Sequence, residues 1–329
     1  MKKYILFFIF CWTSILCVFS QNKMRVILDN DFAGDPDGLY ALAHLAYSPS
    51  VDIRAIIGSH LHEQENWAEP GKASASSAVK YVNKVLSRIG KKRKYRILQG
   101  NEEALKDTAH FLLSDATDVI IEEAKLCTPD APLYYLCGGG LTEIASAWLK
   151  DRSIADRIVL VWIGGSEYPG ILPPPDIKGE EYNTTIDIRA AQVIFNHSDF
   201  RIWQIPRNAY RQCLVSYSIL YRHVKEEHSP VAYDLLSMIE RFIGKGQKNE
   251  CYVLGDSPLV LVTALQSNWE SDSSSSTYRM LSCPNVDDMG KYSFVENRRL
   301  IRVYDRLDTY LMFEDMFAKF AGALRYEVW

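Results

Sequence analysis

The chain has 329 residues, 47% of them hydrophobic and 24% charged, with a net charge of −4. That composition is ordinary for a folded globular protein and excludes a disordered or low-complexity chain. The acidic balance argues against nucleic acid or an anionic membrane as partner, since both select clustered Lys and Arg.

The chain opens "MKKYILFFIFCWTSILCVFSQ". Two lysines, an apolar run and small residues ending at Ser20 have the order of a secretory leader. The expectation is cleavage near Ser20, a secreted or periplasmic location, and no membrane attachment afterwards. The apolar run is short for a spanning helix, and no later stretch is apolar enough. Leu16 is a poor neighbour for lipidation at Cys17. Residues 21–329, about 309 in number, suffice for a single large α/β domain.

Past the leader, short β-rich apolar runs alternate with helical patterns. "RVILDN" reads as a strand and Gly38 to Tyr47 as a helix; "VDIRAIIGS" is a second strand and Lys72 to Leu86 a second helix. "KYRILQG" precedes a helix over Thr117 to Leu126, and "PLYYLCGGG" leads into "LTEIASAWLK". "DRIVLVWIGG" and "FRIWQI" are further strands, with Ile188 to Asn196 helical between them. This alternation predicts a mainly parallel central sheet with helices on both faces, a Rossmann-like α/β fold. The proline-rich loop "PGILPPPDIKGEEYN" and the serine run near Ser273 read as surface connections. "KKRKYR" reads as a solvated helix end.

Five of the seven cysteines follow the leader, widely spaced and without C-x-x-C. Zinc ribbons and redox motifs are thereby excluded. Cys137 fits an apolar strand, and one disulfide is compatible with an oxidising compartment.

Ligands in such sheets bind beyond the carboxyl ends of the strands. Asp29, Asp31, Asp35 and Asp37 follow the first strand, and His60, His62 and Glu63 the second. Gly138, Gly139 and Gly140 follow the fourth; Glu180, Glu181 and Asn183 lie in the loop after the fifth; Asp256 starts a late apolar helix in "YVLGDSPLVLVTAL". If the fold joins these ends, the pocket is acidic, and unpaired buried carboxylates there would be protonated or destabilising. A hard cation resolves the conflict, and an irregular oxygen cage favours Ca²⁺ over Mg²⁺. The simpler alternative is helix capping by Asp35 or Asp37, and by Asp256 ahead of Pro258. Capping near Gly38 needs only one carboxylate and leaves Asp29 and Asp31 unexplained. His60 and His62 lack a third zinc ligand; they line the pocket or are polar loop residues.

"VILDNDFAGDPDGLYAL" resembles the N-terminal aspartate motif, D-x-D-P-G-x-D-D, of the inosine-uridine-preferring nucleoside hydrolases. "CGGGLTEIA", "EEYNTTIDIRAAQVIF" and "GDSPLVL" resemble that family's later motifs, in the same order, over Arg25 to about Leu265. The resemblance implies a Ca²⁺-dependent N-glycosidase that splits ribonucleosides into base and ribose. It implies that Asp31 binds the cation and serves as general base on a cation-bound water. Asp37, Asp256 and the Gly138 carbonyl complete the ligand set, with Asp35 and Asp37 both candidates for the second loop ligand. Glu181 and Asn183 would hold ribose hydroxyls, with Asp35 and His60 as further substrate contacts. Self-association is common in the family and is an implied expectation.

The chain departs from the pattern in three places. The first motif is longer; Glu143 replaces an Asn after the L-T pair; Gly255 stands where many members carry a histidine that helps the leaving base. His60, His62, Tyr210 and Trp203 are candidate substitutes. Two alternatives share the scaffold: a hydrolase of another glycoside or riboside, and a non-catalytic binder of a sugar or nucleoside. A phosphatase using Asp29-x-Asp31 fits less well, because Phe32-Ala33 follow and no later lysine motif appears.

Overall fold

The computed structural model describes residues 23–63, 74–175, 177, 179–227, 229–244, 249–267 and 275–322. The leader expected over residues 1–20 lies outside the described residues. In chain order come β1 (Met24–Asn30), α1 (Asp37–Tyr47), β2 (Val51–Gly58), α2 (Ser74–Arg88), β3 (Ile97–Gln99) and α3 (Asp115–Lys125). β4 (Leu133–Cys137), α4 (Thr142–Lys150), β5 (Ile158–Ile163), α5 (Tyr182–Ile186), α6 (Ile188–Gln192) and β6 (Arg201–Ile205) follow. The later part adds α7 (Arg207–Tyr210), β7 (Leu214–Ser216), α8 (Tyr217–Glu227), α9 (Pro230–Ile243), β8 (Cys251–Val253) and α10 (Pro258–Leu261). It ends with β9 (Thr277–Ser282), β10 (Asn285–Val286), β11 (Tyr292–Ser293), β12 (Leu300–Arg306) and α11 (Thr309–Phe320).

Eight strands form one sheet in the order β3-β2-β1-β4-β5-β6-β12-β9. All neighbours are parallel except β9, which lies antiparallel on β12 at the edge. Helices cover both faces, so the inner strands are apolar on both sides. In β5, Val159, Val161 and Ile163 join one core with Leu39 and Leu42 of α1, Val82 of α2, Leu235 of α9 and Met316 of α11. Ile158, Leu160 and Trp162 join the other, with Ile120 of α3, Ile144 of α4 and Ala190 of α6. The alternating α/β architecture expected from the sequence is the one observed.

Local chemistry sets the element ends. Leu39, Leu42 and Leu45 lie on the inner face of α1. The helix stops where Ser48 Oγ donates to the His44 carbonyl at 3.0 Å and Pro49 cannot continue it. Ser114 caps α3 by accepting the Thr117 N–H at 3.0 Å, which supplies one of the orphan donors of the first turn. The helix expected over 188–196 is broken: α6 ends at Gln192 and a π turn spans Val193–His197. Arg298 and Arg299 donate to the Phe195 and Ile194 carbonyls, pairing groups that the last turn leaves free. The apolar helix expected from Asp256 is α10, Pro258–Leu261, a single turn. Its residues are buried on all sides, so no polar face requires a longer helix. The five described cysteines are all free. Cys137 is fully buried in β4. No described helix is long and apolar enough to cross a membrane.

A buried polar cluster ties α1 to α11. His44 is fully buried, and its Nε2 donates to Asp315 Oδ2 at 2.6 Å. Lys319 pairs with the same carboxylate and donates to Ser48 Oγ. Burial, with Lys319 adding to it, outweighs Asp315 and lowers the His44 pKa from 6.5 to about 4. The unfolded chain therefore binds an extra proton between those values, so this contribution is present at neutral pH and is lost as pH falls from 6.5 through about 4. The loss is expected to be on the order of 2–3 kcal/mol. Urea unfolding at pH 7 and pH 4.5 measures it, and His44→Gln should flatten this part of the pH dependence.

Candidate active site

β1 and β4 are neighbours at the middle of the sheet, yet α1 and α4 pack on opposite faces. This is the switch point of an open α/β sheet, where a crevice opens beyond the carboxyl ends. The four aspartates after β1 do not all enter it. Asp29 is fully buried, and the Tyr135 hydroxyl donates to its Oδ2. Burial first and Glu143 second push the Asp29 carboxyl up to about 7. Asp29 therefore belongs to the core beneath the site.

The crevice is joined by hydrogen bonds between residues far apart in sequence. The Asn30 amide donates to Asp256 Oδ2 at 2.7 Å. The Asp256 N–H donates to Asp37 Oδ2 at 3.1 Å, and the Asp37 N–H to Asp35 Oδ1 at 3.3 Å. Gly138 sits against both partners of the first bond: a Cβ there would lie 2.1 Å from Asn30 Nδ2 and 2.7 Å from the Asp256 carboxyl. Only glycine permits that approach. Asp31 packs on the next residue, with the Cβ position of Gly139 3.3 Å from the Asp31 Cβ. Capping does not explain these aspartates. Pro36 is at the N-cap of α1 and Ser257 at that of α10, each without a side-chain cap bond. Asp37, at the first turn of α1, is the loop carboxylate in contact with Asp256; Asp35 contacts its backbone. Asn30 was missed in the sequence, although an amide between two acids in "DND" is a signal for a donor.

The electrostatics are those of crowded like charges. Burial is the largest influence on Asp31, and Asp256 and Asp35 then raise it further, well above the carboxylate range. Asp37 is raised in the same way by burial, Asp256 and Asp35. Asp256 is pushed up to about 7 by burial, opposed by the Asn30 hydrogen bond. Besides burial, the main influences on these three groups come from neighbouring acids and from Asn30. An oxygen-only donor set matches the chemistry of a hard divalent cation. Among the described residues, no three His, Cys, Asp or Glu side chains are gathered to hold an ion as they stand.

The other expected contacts are placed differently. Glu181 is buried, and its oxygens accept from the N–H groups of Gly165, Asn183 and Thr184 and from the Tyr210 hydroxyl. As the N-cap of α5 it organises the loop and has little capacity left for sugar hydroxyls. The Asn183 amide nitrogen donates to the Ile163 carbonyl at 2.8 Å and the Gly138 carbonyl at 3.2 Å. The Gly138 carbonyl thus uses one of its two lone pairs, and Asn183 Oδ1 accepts no hydrogen bond among the described residues. His60, expected as a substrate contact, has both ring nitrogens engaged within the protein. It is buried, with Nδ1 2.9 Å from the Leu61 carbonyl and Nε2 3.0 Å from Thr142 Oγ1. Thr142 donates on to Asp187 at 2.7 Å, so the ring braces the turn after β4. Trp203 is likewise structural, packed edge-on to Tyr134 and covered by Arg302.

Gly255 is filled in from outside. A Cβ there would meet Asp37 Oδ2 at 3.1 Å and Tyr210 Cδ2 at 3.3 Å. The Tyr210 ring therefore occupies the neighbourhood where a side chain at 255 would grow. Its hydroxyl pKa is raised by burial and then by Glu181, which makes it a poor proton donor to a leaving group. Gly255→His is expected to destabilise by about 1–3 kcal/mol through overpacking. Adding Tyr210→Ala should relieve part of that loss, a non-additivity that thermal melts of the four proteins would detect. A cavity of about 420 Å³ opens here, lined by Asp35, Asp37, Arg207, Tyr210, Arg211 and Gly255 among others.

Comparison with known proteins places this arrangement. The family described as inosine-uridine preferring nucleoside hydrolase matches residues 26–303. An inosine-uridine preferring nucleoside hydrolase from Bacillus anthracis is 17% identical, with 90% of this chain and 99% of that one covered and a TM-score of 0.67. A purine-preferring ribonucleoside hydrolase from Gardnerella vaginalis is 18% identical, with 91% and 98% covered and a TM-score of 0.69. At such identities the likeness establishes the fold. No curated protein matches the chain. The family match spans β1 to β12 and includes each segment that meets at the switch point: the chain belongs to the inosine-uridine preferring nucleoside hydrolase family, whose members are hydrolases of N-glycosyl bonds.

Proposed function

We propose that this protein is a secreted, Ca²⁺-dependent nucleoside hydrolase that splits ribonucleosides, or closely related ribosides, into free base and ribose. The observation that supports the reading is the contact at the switch point, where the Asp256 N–H donates to Asp37 Oδ2 and Asp31 lies near enough for Asp256 to raise it. Asp31, Asp37, Asp256 and the Gly138 carbonyl would hold the cation. When bound, it supplies positive charge to the cluster, orients sugar hydroxyls and favours ionisation of water.

Asp31 accepts the proton of the attacking water as the new O–C1′ bond forms. The C1′–N bond breaks with its electron pair going to the base, and the carboxylates stabilise the oxocarbenium-like sugar between. Asp35 and Asn183 Oδ1 are the groups left open for sugar hydroxyls, while Glu181 and His60 position the loops. Direct attack by water predicts inversion at C1′.

The test is free-ribose release from purine and pyrimidine ribonucleosides, with Ca²⁺ and with a chelator, followed by proton NMR of the first-formed sugar. Chelator-sensitive release of the α-anomer from a β-nucleoside is expected. Release of the β-anomer, or no release from any nucleoside by folded, Ca²⁺-loaded protein, would overturn it.

A further inference from the structure

The cavity beside the carboxylates holds one charge that the proposed mechanism leaves unused. Its two arginines differ in kind. Arg207 is buried and forms a two-pronged pair with Glu167, at 2.7 and 2.6 Å. Its charge is neutralised in place. Arg211, at the end of α7, is exposed. Its backbone N–H donates to the Arg207 carbonyl at 3.2 Å, and its guanidinium has no hydrogen-bond or ion-pair partner among the described residues. The Glu167 carboxyl is raised by burial, lowered more strongly by Arg207, and lowered weakly by the more distant Arg211.

An open guanidinium on the wall of a cavity is a fork that fits a carboxylate or a phosphate. Pro174 and Pro175 give the same cavity apolar surface, and its volume of about 420 Å³ suits a small organic ligand. Asp35 and Asp37 themselves line this cavity beside Gly255, so it is continuous with the carboxylate cluster. A ribosyl group held at the cluster would place whatever it carries in this cavity.

We propose that the substrate is a riboside bearing an anionic group, a carboxylate on the leaving base or a phosphate on the sugar, and that Arg211 is the residue that selects it. The proposal rests on the ribosidase reading above. Asp35 and Asp37 repel an anion, which confines it to the α7 side of the cavity. Arg207 cannot take this role without surrendering Glu167.

Uridine, its 6-carboxylate orotidine, and uridine 5′-monophosphate differ from one another only in the anionic group. Sugar release (kcat/KM) and calorimetric Kd are measured for all three, on the full chain and on Arg211→Gln. The expected result is a preference of about tenfold or more for one anionic compound over uridine, lost in Arg211→Gln. Preference for orotidine places the anion on the base; preference for the monophosphate places it on the sugar. Uridine equal to or better than both, or a preference that survives Arg211→Gln, would overturn the proposal. Cleavage of uridine without any anion preference sinks this inference and leaves the hydrolase reading standing. Anion-selective binding that depends on Arg211, with no cleavage, does the reverse.

Discussion

Asp31→Ala is expected to lower free-ribose release by about 10⁴-fold, while the chelated protein melts at the wild-type temperature or a few degrees above it. The two halves have one cause. In the proposed mechanism Asp31 takes the proton of water, and it is also raised well above the usual range by burial, Asp256 and Asp35. A group whose ionised form is disfavoured in the folded state opposes folding as pH rises, so removing it relieves repulsion. Its side chain contacts Gly139, where no apolar core is disrupted. Initial-rate sugar assays and calorimetry in chelator test both halves. An Asp31→Ala protein with more than about a tenth of wild-type activity would remove the residue from the mechanism. A large drop in melting temperature would make the site residue a structural one.

Ca²⁺ should stabilise the protein and restore its activity after chelation. At free Ca²⁺ about a thousandfold above Kd, the gain is about 4 kcal/mol. Asp37→Asn and Asp256→Asn should each erase most of it, because each removes a carboxylate from the cluster. The pH dependence gives an independent sign. Asp256 rises from 3.8 to about 7 on folding, so without a cation its contribution is present below the unfolded value and is lost as pH rises through 7. The stabilisation by Ca²⁺ is therefore expected to be larger at pH 8 than at pH 5. His44 acts with the opposite sign, losing stability as pH falls from 6.5, and Asp256→Asn separates the two. Equal Ca²⁺ effects on wild type and Asp256→Asn would place the ion elsewhere.

The alternating architecture is legible in the residue pattern. Apolar runs such as "RIVLVWI" allow burial on both faces, and a strand buried on both faces must be sandwiched between helices. The pattern also points to the carboxyl ends of the strands, because binding there follows from topology. Asp31, Asp37 and Asp256 were legible as a set for that reason. What each side chain contacts follows from the folded chain and not from the local residue pattern. Asp29 looks equivalent to Asp31 in sequence, yet Asp29 is still inside β1 and bonded by Tyr135 in the core, whereas Asp31 lies past the strand's end against Gly139. Glu181 and His60 looked like free ligands, but hydrogen bonds to Gly165 and Tyr210 in one case and to Thr142 in the other commit them to the scaffold. Those partners lie far away along the chain, and nothing local to "EEYN" or "SHLH" reveals them. The same holds for Gly255: the sequence records a missing side chain, and the fold records that Tyr210 lies against the gap. Periodicity is a property of neighbours in the chain, whereas hydrogen-bond commitment and burial of charge depend on neighbours in space.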